Sequence, residues 1–190
     1  MRGLEKLLIL FAAPIWSAAI ARCETNSLSS LVETSAKRLL IAKKVALAKW
    51  DSGAAVEDAP REAEVIRKAV KDAEAKGLDA AQVEDFLRAQ IEANKLVQYS
   101  LLADWRRHGK APPHAPVDVV KEIRPQLDQM EKQLISGLLD SAAERSTTTC
   151  RADVAKAVGD YLDAHKLSAN SRNAVALDRA MATTWTNRGE

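Results

Sequence analysis

The sequence predicts an all-α protein, folded as a single-chain bundle of about six helices. Residues that favour helices, such as Ala, Leu, Lys and Glu, are abundant, whereas the chain has only 7 Gly and 6 Pro. We find no run of alternating β-branched and polar residues bounded by turn signals, so strands are not expected. The 190 residues are 47% hydrophobic and 28% charged, which is typical of a globular protein.

The N-terminus has the pattern of an export signal. Arg2 and Lys6 form a basic start, residues 7–16 are apolar, and the small residues at 19 and 21 (Ala-Ile-Ala) are typical of a cleavage site. The apolar run is too short to span a membrane comfortably. We therefore expect residues 1–21 to be a cleaved signal peptide, and the mature protein to be periplasmic or secreted without membrane association. An uncleaved anchor is the alternative.

The first two helices are bounded by capping signals. Ser30 with Glu33 resembles a capping box, which predicts a helix from Ser30 to about Trp50. Asp58 fits the N-cap of a second helix, and Gly77 fits its end.

The third helix and the loop after it have equally clear signals. Asp79 is the predicted N-cap of the third helix, which continues to Gly109. Residues 110–116 contain three prolines and form the clearest predicted loop in the chain.

The C-terminal part predicts three further helices. Asp118 fits the cap of a fourth helix over residues 118–145, but Pro125 predicts a kink or a delayed start near Arg124. The last two helices are expected at residues 151–165 and 171–185.

Two helices carry polar residues at positions that should be apolar. In the first, Arg38 and Lys49 share a face with Leu31 and Val45; in the third, Asn94 and Gln98 lie on the apolar stripe. Residues seven or eleven positions apart return to nearly the same face of a helix. Buried charges and amides need partners, and if the partner is not protein it is a ligand. Cations and amide donors indicate an anionic one.

These side chains can converge on one small molecule. Arg38 and Lys49 are separated by about 16 Å along the helix, and their long side chains can meet between those points. Asn94 and Gln98 could face the same gap, and the start of the second helix adds charged groups where backbone N–H groups also favour anions. Those groups are Asp58, Arg61 and Glu62.

The set describes a pocket for a small polyanion that carries a hydroxyl. It contains no nucleophile–base pair and no metal-ligand spacing, so we expect no metal. Taken singly, each residue has a simpler interpretation. Asn94 and Gln98 could be satisfied core amides, Arg38 and Lys49 could extend to the surface from the edge of the stripe, and Asp58 could be only an N-cap.

The joint spacing of seven residues resembles the active-site pattern of the all-helical, AroQ-type chorismate mutases. These residues are Arg38, Lys49, Asp58, Arg61, Glu62, Asn94 and Gln98. The runs "AKRLLIAKKVALAKW", "VEDAPREAEVI" and "FLRAQIEANKLVQYSLLADW" resemble the family as well. The export signal and the long C-terminal part resemble its secreted gamma subclass. The resemblance covers residues 28–185 and is strong to about Trp105.

The resemblance also implies how the chain is organised. Short cytosolic members receive one arginine from the N-terminus of a partner chain, whereas here that stretch is the signal peptide. Secreted members supply a cation from a later helix, and Arg124 in "EIRPQLDQM" is the matching residue. The implied regions are residues 22–117 as the catalytic helical region and residues 118–190 as a C-terminal extension that completes the site and packs on the bundle.

The implied function is chorismate mutase, an isomerase that rearranges chorismate, the product of the shikimate pathway, to prephenate for aromatic amino-acid biosynthesis. It needs no cofactor. Lys49, Gln98 and Arg38 would be the catalytic residues, with Lys49 and Gln98 donating to the ether oxygen. Arg38, Arg61 and Arg124 would clamp the substrate carboxylates. Asn94 would add a further carboxylate contact. Asp58 and Glu62 would orient the ring hydroxyl or hold the arginines.

Partners and covalent links are less specified. The formal net charge of +2 gives no reason to expect nucleic acid, and a homodimer is expected. Cys23 and Cys150 could form a disulfide in an oxidising compartment. The alternatives to an enzyme are a non-catalytic secreted binding or effector protein on the same scaffold and a binding module for small dicarboxylates.

Overall fold

The computed structural model describes residues 26–169 and 171–184, and within these ranges it confirms the all-α prediction. It contains seven helices, one π-helical turn and no strand there, and no described helix is long and apolar enough to cross a membrane. The helices are α1 (Asn26–Ser52), α2 (Ala59–Glu74), α3 (Ala80–His108), α4 (Arg124–Asp140), α5 (Ala142–Arg145), α6 (Cys150–Ala164) and α7 (Arg172–Met181). The predicted signal peptide, Cys23 and Trp185 lie outside the described residues.

Two long helices, α1 and α3, pack against each other and organise the bundle. Helices α2 and α7 pack on α3, while α4 and α6 pack on α1, and α7 also contacts α1. Their apolar faces share one core that includes Leu31, Phe86, Leu134, Val154 and Leu177. The core therefore draws on both predicted regions, 22–117 and 118–190. That division stays a prediction.

Local capping explains most of the helix boundaries. The carboxylate of Asp58 accepts a hydrogen bond from the N–H of Arg61, and that of Asp79 accepts one from the N–H of Gln82, as N-caps do. Gly77 and Gly109 follow α2 and α3 with φ values of 82° and 70°, a conformation that glycine adopts without steric cost. The predicted caps and ends of these two helices are confirmed.

The predicted start of α1 was wrong by about one turn. The helix begins at Asn26, so Ser30 lies inside it, and its carbonyl accepts a hydrogen bond from the Thr34 hydroxyl. Leu28 and Leu31 are both buried in the core, and this apolar contact extends the helix upstream of the capping signal.

The start of α4 is delayed, as Pro125 predicted. Asp118 accepts hydrogen bonds from the N–H groups of Val120 and Lys121, both at 2.9 Å, and caps the π-helical turn Val119–Ile123. Helix α4 then begins at Arg124 with Pro125 in its first turn, where a missing N–H has no helical partner to lose.

The single helix predicted to Arg145 divides at Ser141. The buried Ser141 hydroxyl donates to the carbonyl of Gly137 at 2.6 Å and accepts from the Arg145 guanidinium at 3.2 Å. Serine that bonds back to the preceding turn commonly bends a helix. Here α4 ends at Asp140 and the short helix α5 follows.

Cys150 is buried at the start of α6, and burial raises the pKa of its thiol. Because Cys23 lies outside the described residues, the pairing of the two cysteines stays a prediction.

A hydrogen bond links the start of α1 to α5: the Ser27 hydroxyl donates to the Glu144 carboxylate.

Two glycines inside helices give a matched test of how tightly α4 packs on α1. A Cβ at Gly137 would lie 3.0 Å from Cδ1 of the buried Leu31, whereas a Cβ at Gly159 would meet nothing within 4 Å. We expect Gly159→Ala to raise the free energy of unfolding by about 0.5–1 kcal/mol, because alanine favours the helix. Overpacking should make Gly137→Ala at least about 1 kcal/mol less stable than Gly159→Ala. Urea unfolding of both variants measures the two free energies of unfolding. Equal increases would show that Leu31 on α1 moves aside without cost.

Candidate active site

The eight predicted site residues line one cavity. It has a volume of about 190 Å³ and lies among α1, α2, α3 and the start of α4. The polar lining includes Arg38, Lys49, Asp58, Arg61, Glu62, Asn94, Gln98 and Arg124, and the apolar wall includes Val45, Val65, Ile91, Ile123 and Leu127. The structure thus brings together all the residues that the spacing singled out. What each does to a ligand stays a prediction.

Arg38 is anchored to the neighbouring long helix. Its Nη1 donates to the backbone carbonyl of Gln90 at 2.8 Å, which fixes one edge of the guanidinium. Burial lowers the pKa of Arg38 to about 10, although the nearby Glu131 carboxylate acts in the opposite direction. The side chain therefore remains a cation at neutral pH, and its other N–H groups are available to an anionic ligand.

Lys49 is held at the other end of the cavity. Its Nζ donates to the carbonyl of Val56 at 2.6 Å, so the ammonium is fixed to the loop between α1 and α2. Burial lowers the pKa of Lys49, and the carboxylates of Asp58, Glu62 and Glu57 oppose that effect. One hydrogen bond leaves two of the three ammonium donors for a ligand.

A relay of hydrogen bonds orients the two buried amides. Nδ2 of Asn94 donates to the backbone carbonyl of Arg38 at 3.1 Å, and Nε2 of Gln98 donates to Oδ1 of Asn94 at 2.8 Å. Because a carbonyl can only accept, it fixes which way Asn94 faces, and Asn94 in turn fixes Gln98. Gln98 is 4% exposed, and its Oε1 has no hydrogen-bond partner in the described part of the chain.

The first turn of α2 contributes three charged side chains. The backbone N–H of Asp58 donates to Oε1 of Glu62 at 3.2 Å, which completes a reciprocal cap with the Asp58 carboxylate. Nη1 of Arg61 pairs with Glu64 at 2.9 Å. Within the described ranges, neither Asp58 nor Glu62 forms an ion pair with an arginine of the cavity. Glu62 pairs with Lys95 instead.

Sequence reasoning missed Lys95, which lines the cavity and is only 7% exposed. Its Nζ lies 2.6 Å from Glu57, 3.1 Å from Glu62 and 2.7 Å from Glu92. Burial by itself would lower the pKa of Lys95, but these hydrogen bonds outweigh it and the pKa is raised. Only the Glu92–Lys95 spacing was visible in the sequence, and it is common on solvated helix faces.

The far wall of the cavity, on α4, carries two carboxylates that were also missed. Asp128 and Glu131 line it together with Arg124. Burial raises the pKa of Glu131, Asp128 raises it further, and Arg38 lowers it. Arg124 is exposed at this side and has no ion pair among the described residues. No local signal distinguishes Glu131 from a surface residue.

The structure defines an all-helical protein with a partly open cavity whose lining carries five cations and four carboxylates, and the comparisons with known proteins give its family. The family profile described as chorismate mutase type II matches residues 29–99, which include seven of the eight predicted site residues but not Arg124. The secreted chorismate mutase of Mycolicibacterium smegmatis is 30% identical over 135 residues, which cover 71% of this chain and 74% of that protein. The chain belongs to the type II chorismate mutase family.

Two further relatives support this assignment. The secreted chorismate mutase of Mycobacterium tuberculosis is 27% identical over 85% of this chain and 80% of its own length. The crystal structure of a chorismate mutase from Burkholderia phymatum superposes with a TM-score of 0.80 at 39% identity, covering 86% of this chain and 98% of that one. The predicted fold is therefore confirmed. The predicted location outside the cytoplasm is also confirmed, because relatives are named as secreted.

Asp58 has two separable roles, as the cap of α2 and as a charge at the cavity. We expect Asp58→Ala to lower the free energy of unfolding by about 0.5–2 kcal/mol through loss of the cap, and Asp58→Asn to leave it nearly unchanged because asparagine caps equally well. Thermal unfolding measures both. Asp79→Ala, which removes the cap of α3, is the control and should resemble Asp58→Ala. Equal losses in Asp58→Ala and Asp58→Asn would show that the charge, not the cap, stabilises this helix start.

Proposed function

We propose that this protein is an exported chorismate mutase that binds chorismate in the cavity described above and rearranges it to prephenate. The observation that carries the proposal is the convergence of Arg38, Lys49 and Gln98 on one cavity, with Arg124 from α4 at its side. The family relationship supports the same reaction.

The reaction needs little chemistry from the protein. A Claisen rearrangement is pericyclic, so it needs no proton transfer, no covalent intermediate and no cofactor. An enzyme accelerates it by holding the substrate in the folded form in which the reacting carbons meet. It also stabilises the negative charge that gathers on the ether oxygen as the C–O bond breaks.

Substrate positioning is assigned to the arginines. Chorismate carries two carboxylates, and a planar guanidinium can hold a carboxylate through two parallel hydrogen bonds. Arg38, Arg61 and Arg124 would clamp these groups, and Asn94 would add one contact. Arg38 suits this role because the Gln90 carbonyl fixes one edge of its guanidinium. Arg61 would turn from Glu64, an exposed partner that costs little to leave.

Transition-state stabilisation is assigned to Lys49 and Gln98. Lys49 has two ammonium donors left after its bond to Val56, and Gln98 has one amide N–H left after its bond to Asn94. Both would donate to the ether oxygen. Asp58 and Glu62 would accept a hydrogen bond from the ring hydroxyl, because an ionised carboxylate has only acceptor atoms.

The alternatives keep the scaffold but lose turnover. A secreted binding or effector protein, or a dicarboxylate-binding module, would occupy the same cavity without product formation. The retained set of Lys49, Gln98 and three arginines favours the enzyme. A homodimer is expected from the resemblance alone, and sedimentation of the mature protein would test it.

The first test is loss of the ultraviolet absorbance of chorismate with the mature protein, with prephenate identified as product. We expect Lys49→Ala to lower kcat by roughly 10²–10³, the usual effect of removing one preorganised donor. Lys44→Ala, on the exposed face of α1, is the control and should retain parental activity. A folded parent without turnover would make the binding alternatives primary.

The residue type at Gln98 predicts the pH dependence. An amide donates at every pH, so we expect kcat/KM of the parent to change little between about pH 5 and 7.5. In Gln98→Glu the carboxyl must be protonated to donate, and burial should raise its pKa. The activity of that variant relative to the parent should therefore fall as the pH rises through that pKa. A steep loss in the parent, or a flat ratio for the variant, contradicts the assignment of Gln98 as donor.

A further inference from the structure

We propose that Lys95 is a positioning residue of this site, which holds Glu62 away from Lys49 so that the Lys49 ammonium stays available to the substrate. The proposal rests on the proposed function for the identity of the substrate. Lys95 lies on α3, lines the cavity and is buried, yet no feature of the sequence singled it out.

Lys95 itself has no donor to offer the substrate. Its Nζ is within hydrogen-bonding distance of carboxylates on three sides: Glu57 at 2.6 Å, Glu92 at 2.7 Å and Glu62 at 3.1 Å. An ammonium has three N–H donors, and these three carboxylates use all of them. The side chain therefore acts through its partners rather than by direct contact with the reacting atoms.

The partners of Lys95 belong to the wall of the cavity. Glu57 lies in the loop between α1 and α2, where the Tyr99 hydroxyl also donates to it at 2.8 Å. Glu62 lies in the first turn of α2, and its two oxygens are occupied by Lys95 and by the backbone N–H of Asp58. Lys95 thus ties α3 to the loop and to α2, and it fixes the direction of the Glu62 carboxylate.

Lys49 is the cation that would replace Lys95. The charges of Asp58, Glu62 and Glu57 all act on Lys49. Arg61 is the other cation at this helix start, but the proposed function engages it with a substrate carboxylate. The Glu62 side chain is 24% exposed, and a partly buried carboxylate that loses its cation pairs with another one within reach, because leaving it unpaired is costly. Without Lys95, Glu62 would turn to Lys49 and occupy the N–H donors proposed for the ether oxygen.

The test is Lys95→Met, which keeps an unbranched side chain only one atom shorter and removes the charge. We expect kcat for chorismate to fall by roughly 10- to 100-fold, at most the effect of removing a donor directly. Lys37→Met is the matched control, since Lys37 pairs with Glu33 at 2.7 Å on the exposed face of α1, and it should retain parental activity. Lys95→Arg, which keeps a cation at this position, should restore most of the loss.

A pH profile separates positioning from a purely structural role. In Lys95→Met, protonation of Glu62 would release Lys49, so activity should recover as the pH falls, unlike in the parent. The loss should also depend on Glu62: adding Lys95→Met to Glu62→Gln should cost much less than adding it to the parent. Because the carboxylates of Glu57, Asp58 and Glu92 also lie near these lysines, Lys95→Met with Glu57→Gln is the control and should keep the acid recovery.

The outcomes are distinct. A parent without chorismate turnover overturns the proposed function. If the parent turns over chorismate but Lys95→Met is as active as Lys37→Met, only the role of Lys95 is overturned. The same follows if Lys95→Met loses as much activity in the Glu62→Gln background as in the parent. If Lys95→Met does not fold, as judged by circular dichroism, Lys95→Gln replaces it, and the same dependence on Glu62 is required.

Discussion

The reciprocal hydrogen bonds between α1 and α3 at Arg38 are the interaction on which the site depends. The Arg38 side chain donates to the backbone of α3 at Gln90, and the Arg38 backbone accepts from the Asn94 side chain of α3. Two contacts in opposite directions, one turn apart on α3, fix the relative height of the two long helices. Sliding one helix along the other would leave buried polar groups without partners, which is costly.

The same contacts couple folding to the electrostatics of the cavity. Once Asn94 is fixed by a carbonyl, Gln98 has one orientation, and its amide is presented without rotational freedom. The side chain of Gln90, whose backbone holds Arg38, also donates to Ser35 on α1 and to the carbonyl of Ala180 on α7. The C-terminal helix is thus tied to the element that positions the guanidinium. Preorganised groups of this kind need little rearrangement when charge develops in a ligand.

Features set by nearby residues in the sequence were predictable. Features set by how the helices pack against one another were not. Asp58 and Asp79 cap their helices through contacts three residues away, and the joint spacing of Arg38, Lys49, Asn94 and Gln98 follows from helical periodicity. Lys95 has its cavity partners 33 and 38 residues away, so no local pattern identifies it. Glu131 lines the cavity because of how α4 packs on the bundle, and the π-helical turn that precedes α4 was not foreseen.

Arg124 lies on the same polypeptide as the rest of the cavity, beyond the segment that the family profile matches. The eight polar residues predicted for the site therefore all come from one chain. Association equilibria obey mass action, so a site shared between protomers loses occupancy on dilution. Bringing these eight residues together needs no second chain, so it does not depend on protein concentration. That independence suits a protein exported into a large volume, where other copies of the chain are scarce.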